Sequence, residues 1–128
     1  MTTEQMRERL MVFAIDVLQM TRRLPDDYST RHVCGQLFRA ASSVACNYRT
    51  TTLARSSTEF LAKLGVVREE ADEAMFWLEF LERANMLTPA ATDGPRLRQE
   101  SGEIFAMVSA AYRTSRDKYG KNAGKGKS

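Results

Sequence analysis

The chain has 128 residues, 43% hydrophobic and 27% charged, with a formal net charge of +3. That is the size and composition of one soluble globular domain and excludes a disordered chain. No apolar run approaches the ~20 residues that span a bilayer. The N-terminal MTTEQMRERLMVF lacks the apolar core and cleavage site of a signal peptide, so the expected location is cytoplasmic, with no membrane partner.

The first expected helix covers about residues 3–23, where Met6, Leu10, Phe13, Ala14, Val17 and Leu18 recur at spacings of three and four. Pro25 disfavours helix at Leu24 and stops it. The second covers about 30–50, with Ser29 or Thr30 as N-cap and Val33, Leu37, Ala40, Ala41, Val44 and Tyr48 as its stripe. It fades in Thr50-Thr51-Thr52, whose branched side chains lose rotamer freedom in a helix. The third covers about 57–86. Ser56-Ser57-Thr58-Glu59 has the form of a capping box, and Phe60, Leu64, Val67, Ala71, Ala74, Leu78 and Leu81 follow at heptad-like spacing. Pro89 prevents its continuation. The fourth covers about 95–117, with Leu97, Ser101, Ile104, Phe105, Val108 and Tyr112 inward.

No run alternates with period two, so no strand is expected. Four amphipathic helices with mostly short connections predict an all-α fold, an antiparallel up-and-down four-helix bundle over residues 1–118. Residues 119–128, with Gly and Lys and little apolar content, read as a disordered basic tail. Met11, Val12 and Ile15 on the first helix, and Met75, Phe76, Trp77 and Phe80 on the third, extend beyond a single stripe. A helix apolar on more than one side has two things to touch. Met11, Ile15, Phe76, Trp77 and Phe80 are therefore candidate oligomer contacts.

The charge is unevenly spread. From Arg113 onward six basic side chains face Asp117 alone, while the rest of the chain holds 13 basic and 15 acidic residues. The body is close to neutral, unlike a wholly basic nucleic-acid-binding domain. Cys34 and Cys46 are twelve residues apart, about 18 Å on one helix, which excludes a disulfide between them. Both read as small buried hydrophobes.

Catalytic and metal motifs fail on composition and spacing. The terminal Gly-Lys-Ser has Lys121 where a phosphate-binding loop needs its first Gly. A di-iron bundle needs two Glu-x-x-His pairs, and His32 is the one histidine. Cys34, two residues from His32, points to a different helical face. The sequence thus offers no catalytic residues, no metal site and no cofactor.

One polar stripe remains. Gln36, Ser43 and Asn47 share a face of the second helix with Arg39 beside them, and Glu70 and Glu73 are spaced to meet them from the third. The expectation is a structural seam containing a buried Arg–carboxylate pair, with small Ala40, Ala41, Ser42, Ala45 and Cys46 allowing close approach.

The stretches QLFRAASSVACNYRT and ARSSTEFLAKLGVVREEADEAMFWLEFLE resemble the four-helix-bundle family associated with intervening sequences in bacterial 23S rRNA genes. That family's second helix reads Gln-x-x-Arg-Ala-x-x-Ser-x-x-x-Asn, matched by Gln36, Arg39, Ala40, Ser43 and Asn47. One branch continues with Asn-Tyr-Arg, a Ser-x-x-(Glu/Asp)-Phe helix start and Glu-x-x-Glu-x-x-x-Trp-Leu. Tyr48, Arg49, Ser56, Glu59, Phe60, Glu70, Glu73, Trp77 and Leu78 match these over a resemblance spanning about residues 5–115. Thr50 and Thr51 depart from the commoner branch, which has an acid and a glycine soon after the Asn.

The resemblance implies an up-down bundle assembled into a ring, often a pentamer, with no known enzymatic activity. It extends to the accessory protein of diversity-generating retroelements, a pentameric bundle that works with nucleic acid and a reverse transcriptase. The expected function is a non-enzymatic, homo-oligomeric adaptor for nucleic acid, RNA before DNA. Arg22, Arg23, Arg49, Arg55, Arg113, Arg116, Lys118, Lys121, Lys125 and Lys127 are its candidate contacts. The alternative is a protein–protein scaffold with no nucleic-acid role.

Overall fold

Thr2 opens the first helix. Its hydroxyl accepts from the Gln5 amide while the Gln5 side chain accepts from the Thr2 amide, a reciprocal capping box. In the computed structural model, which describes residues 1–87 and 93–126, the elements are α1 Thr3–Thr21, α2 Tyr28–Thr51, α3 Ser57–Arg83 and α4 Gly94–Gly126. There is no strand among the described residues, and no helix there is long and apolar enough to cross a membrane.

The helices form a square. α1 packs on α2 and α4, and α3 packs on α2 and α4, so α1 and α3 are diagonal. The 22–27 and 52–56 connections reverse direction, giving the up-and-down order. The core is the inward stripe of each helix: Leu10 and Val17, Leu37 and Val44, Leu64 and Leu78, Leu97 and Ile104 are all essentially inaccessible. Between α2 and α3 the buried residues include Ala40, Ala41, Ala71 and Ala74, whose small side chains let the helices approach closely.

Several ends differ from the sequence expectation. α2 begins at Tyr28, capped by Asp27, whose carboxylate accepts from the Thr30 amide and hydroxyl. Thr30 is buried and helical, so neither Ser29 nor Thr30 is the cap. At α3 only half of the capping box forms. Ser56 accepts from the Glu59 amide, while the Glu59 carboxylate turns to Lys63. α3 stops at Arg83 rather than 86 because Asn85 adopts φ 56°. The amides of Asn85 and Met86 then close onto Glu82 and Leu81, a Schellman ending in which Asn tolerates the left-handed conformation. α4 runs to Gly126, past the expected end at 117 and into the stretch expected to be disordered. Its one proline, Pro95, sits in the first turn, where no helical N–H bond is lost, and helical hydrogen bonds need only local partners. Tyr119 sets its ring edge-on to Phe60 at 6.2 Å, a contact with α3 beyond that boundary. Pro89 and residues 127–128 lie outside the described residues.

Candidate functional site

The polar stripe is built where α2 meets α3. Arg39 donates to Glu70 at 3.1 and 3.3 Å and also to Glu73. Glu73 in turn accepts from the Trp77 indole at 3.4 Å. The pair is not buried: the Arg39 side chain is 47% exposed and Glu70 20%. Arg39 lies far enough round α2 from the Leu37–Val44 stripe that only its head reaches across to α3. Gln36, Ser43 and Asn47 are half-buried beside it. Among the described residues their side chains make no hydrogen bond to protein, although the Asn47 carbonyl accepts from the Thr50 and Thr51 hydroxyls. The expected amide-supported buried network is therefore an Arg–Glu–Glu–Trp chain at the surface. Arg39→Ala should cost less than about 1 kcal/mol, diminishing with salt. Chemical denaturation at low and high salt checks this; a salt-independent loss of several kcal/mol would overturn the surface assignment.

Hydrogen bonds from Arg39 hold the Glu73 carboxyl below the usual range, and bonds from the Thr30 amide and hydroxyl do the same for Asp27. A carboxylate depressed in the folded state contributes stability that is present above its unfolded pKa and lost as pH falls through the folded one. The melting temperature should therefore fall as pH drops below about 4. The double variant Asp27→Asn/Glu73→Gln should flatten that fall in thermal melts from pH 7 to 3.

The apolar candidates are exposed. Met11 is 47%, Ile15 44%, Phe76 51% and Phe80 41% accessible. Trp77 is half-buried, with the rings of Phe76, Phe80 and His32 around it at 4.9, 5.6 and 6.1 Å. Cys46 is exposed and Cys34 half-buried, not the two buried hydrophobes expected; both are free thiols. Burial pushes the Cys34 thiol up. Among the described residues no three His, Cys, Asp or Glu converge in a way that could hold a metal ion.

The basic candidates separate into two ends. Arg22 and Arg23 lie after α1, beside the start of α2 and the end of α3. There most arginines are paired: Arg23 with Asp93 at 3.7 Å, Arg31 with Asp26 at 2.9 Å, Arg96 with Asp16 at 3.1 Å and Arg98 with Glu82 at 2.7 Å. Arg49 and Arg55 lie at the other end of α2, which its 24 residues place about 36 Å away. The Phe60–Tyr119 contact brings Arg113, Arg116 and Lys118 of α4 to that same end. Arg116 meets Asp117 at 3.4 Å, and the Lys118 ammonium sits 5.6 Å from the Tyr119 ring centre. Arg49, Arg55 and Arg113 are exposed and, among the described residues, have no carboxylate within 4.0 Å. Arg7, likewise without a carboxylate at that distance, joins them: it shares with Glu4, Glu8, Met11, Ala45 and Arg49 a groove of about 340 Å³ between α1 and α2. Sequence reading omitted Arg7 because two flanking acids hide it in the charge pattern. Lys121 and Lys125 follow on α4, and Lys127 lies outside the described residues.

Fold and surface define a helical bundle with one cation-rich end, an exposed polar chain between α2 and α3, and two exposed apolar patches. The sequence model of the family described as 23S rRNA-intervening sequence protein matches residues 3–110, and the chain belongs to that family. A crystal structure of a protein of unknown function from the S23 ribosomal protein family of Bacteroides thetaiotaomicron has the same fold. Its TM-score is 0.77 at 23% identity, covering 88% of this chain and 99% of that one. No match was found among curated proteins.

Proposed function

We propose that this chain is a non-enzymatic, cytoplasmic, homo-oligomeric adaptor, with five subunits favoured, that associates with RNA through the cation-rich end of the bundle. The observation that supports this most is the segregation of unpaired cations. Arg7, Arg49, Arg55 and Arg113 gather at one end, while most arginines at the other end are neutralised by carboxylates. Side chains already paired gain little from a phosphate, whereas free arginines displace counterions on binding. The surface of contact is thus narrower than the sequence suggested, and excludes Arg22 and Arg23 by position.

Size-exclusion chromatography with light scattering, read at 260 and 280 nm after purification at low salt, tests both halves. The expected result is a mass near five chains with excess absorbance at 260 nm, removed by ribonuclease and by high salt. A clean oligomer that ignores a labelled single-stranded RNA at every salt concentration would overturn the RNA half. It would favour the scaffold reading, which draws on the exposed Phe76 and Phe80. A monomer would overturn the assembly half.

A further inference from the structure

The Phe60–Tyr119 and Glu82–Arg98 contacts make α3 and α4 antiparallel, and Gly65 fixes their register. A Cβ built on Gly65 would stand 3.3 Å from Tyr112 Cε2, so the tyrosine ring lies close against the α3 backbone. The helix-interior Gly35 and Gly102 have nothing within 4 Å of that position. A glycine inside a helix is unfavourable relative to alanine, and at Gly65 it leaves room for the ring. Seven residues on along α3 and seven back along α4, Asp72 stands level with Phe105. Glu79 and Arg98, fourteen away on each helix, agree with this register and meet at 3.9 Å.

Between those two levels lies a groove of about 290 Å³, lined by Gly65, Arg68, Glu69, Asp72, Phe105 and Tyr112. The Arg68 guanidinium stands 5.3 Å from the Tyr112 ring centre, held there by the ring face. Phe105 is half-buried, and among the described residues no ring or cation stacks on it. Glu69 and Asp72 are exposed. Among the described residues neither of them, nor Arg68, is in an ion pair, although Asp72 follows Arg68 at the helical spacing of four. The groove thus offers one guanidinium, two carboxylates and one ring face, all without partners of opposite charge. Two acids against one cation repel a phosphate, so the groove suits a neutral, flat, polar-edged group. Phosphates are taken just outside it, where Arg113 follows Tyr112 and has no carboxylate within 4.0 Å.

We infer that this groove takes an unpaired guanine of single-stranded RNA. The base stacks on Phe105. Arg68 donates to its O6 and N7, and the Asp72 carboxylate accepts from N1–H and the N2 amino group. Guanine is the base with two acceptors on one edge and two donors on the next. Adenine and cytosine bring one amino group to a carboxylate, and uracil a single N–H. A duplex would hide N1 and N2 in its own pairing, and its deep, narrow major groove excludes side chains from O6 and N7. The phosphates hold the strand and the groove reads the base. The inference rests on the RNA half of the proposed function, names the base that half would select, and is independent of the assembly half.

Fluorescence anisotropy on the full chain tests it, with a labelled oligouridine and the same oligomer carrying guanines. The guanine-containing strand should bind about tenfold tighter, the discrimination that one bidentate base contact supplies. Asp72→Asn should abolish that preference while oligouridine binds as well as before or better, because the protein becomes more positive. A charge effect alone would raise both affinities together. Arg68→Lys keeps the charge but loses the planar fork. It should therefore lose the preference without changing the slope of log affinity on log salt. Both side chains line an open groove, and retained helical circular dichroism with intact oligouridine binding shows that the variants are folded. Equal affinity for the two strands, or a preference that survives both substitutions, would overturn the inference and leave the RNA reading standing. Guanosine monophosphate binding as tightly as the strand would mark a free-nucleotide site and overturn the assignment to RNA. Binding of neither strand would overturn the inference and the RNA half of the proposed function together.

Discussion

Leu78→Ala should remove about 2–5 kcal/mol of unfolding free energy, because it deletes a branched side chain from a packed core and leaves a cavity. Leu78 is 1% exposed on α3, the helix that packs against both α2 and α4. Its neighbours Ala71 and Ala74 are too small to swing into the space. A domain of this size has only about 5–15 kcal/mol in total, so the loss is a sizeable fraction of its stability. Urea titration checks it: the midpoint falls while the slope is unchanged, since the surface exposed on unfolding is the same. Phe76→Ala, two residues away and 51% exposed, deletes a larger side chain but should cost the monomer only about 0.5–1.5 kcal/mol, the worth of its ring contact with Trp77. If both variants lose the same amount, the inward and outward faces of α3 are wrongly assigned.

That contrast also shows what the sequence makes legible. The inward stripes were readable because a spacing of three and four has one geometric consequence on a helix. Met6, Leu37, Val67 and Val108 all point inward as the period requires. Helix ends were less so. Ser29, Thr30 and Asp27 are all capping residues by type, and Asp27 wins because Thr30 is needed in the core. The acidic partners of Arg39 followed from the i, i+3 spacing of Glu70 and Glu73, but their exposure did not. The guanidinium is exposed because Arg39, two residues from the buried Leu37, stands about 160° round α2 from it, an angle that the choice of polar residue types had overridden. The separation of Arg22 and Arg23 from Arg49 and Arg55 was implicit in the up-and-down order. It becomes visible only when the helices are set side by side and each arginine is given a height. Carboxylate pairing is less legible still, because Arg96 meets Asp16 across 80 residues of sequence.

The separation of the two ends makes the second large effect a comparison of like with like. Arg49→Glu/Arg55→Glu/Arg113→Glu reverses three cations at one end. Arg22→Glu/Arg23→Glu with Arg31→Glu reverses three at the other and changes the net charge by the same amount. If the first three each neutralise a phosphate of single-stranded RNA, their loss should lower the slope of log affinity on log salt by about 2 per subunit engaged. In a multivalent ring the losses multiply, and a valency gain of about 10²–10⁴ disappears with them. Binding at 0.15 M salt should then fall beyond detection for the first variant. For the second it should weaken only by the general reduction in positive charge, which a Debye length of about 8 Å limits at a separation several times larger. Fluorescence anisotropy with one labelled RNA across a salt series reads both quantities. Light scattering on the same samples checks that the assembly is intact, a control that Arg49 needs because it shares the α1–α2 groove with Met11. Equal loss from both variants would mean that net charge, not the arrangement of unpaired arginines, holds the RNA. No loss from either would leave the cation-rich end without its ligand and return the exposed faces of the bundle to proteins.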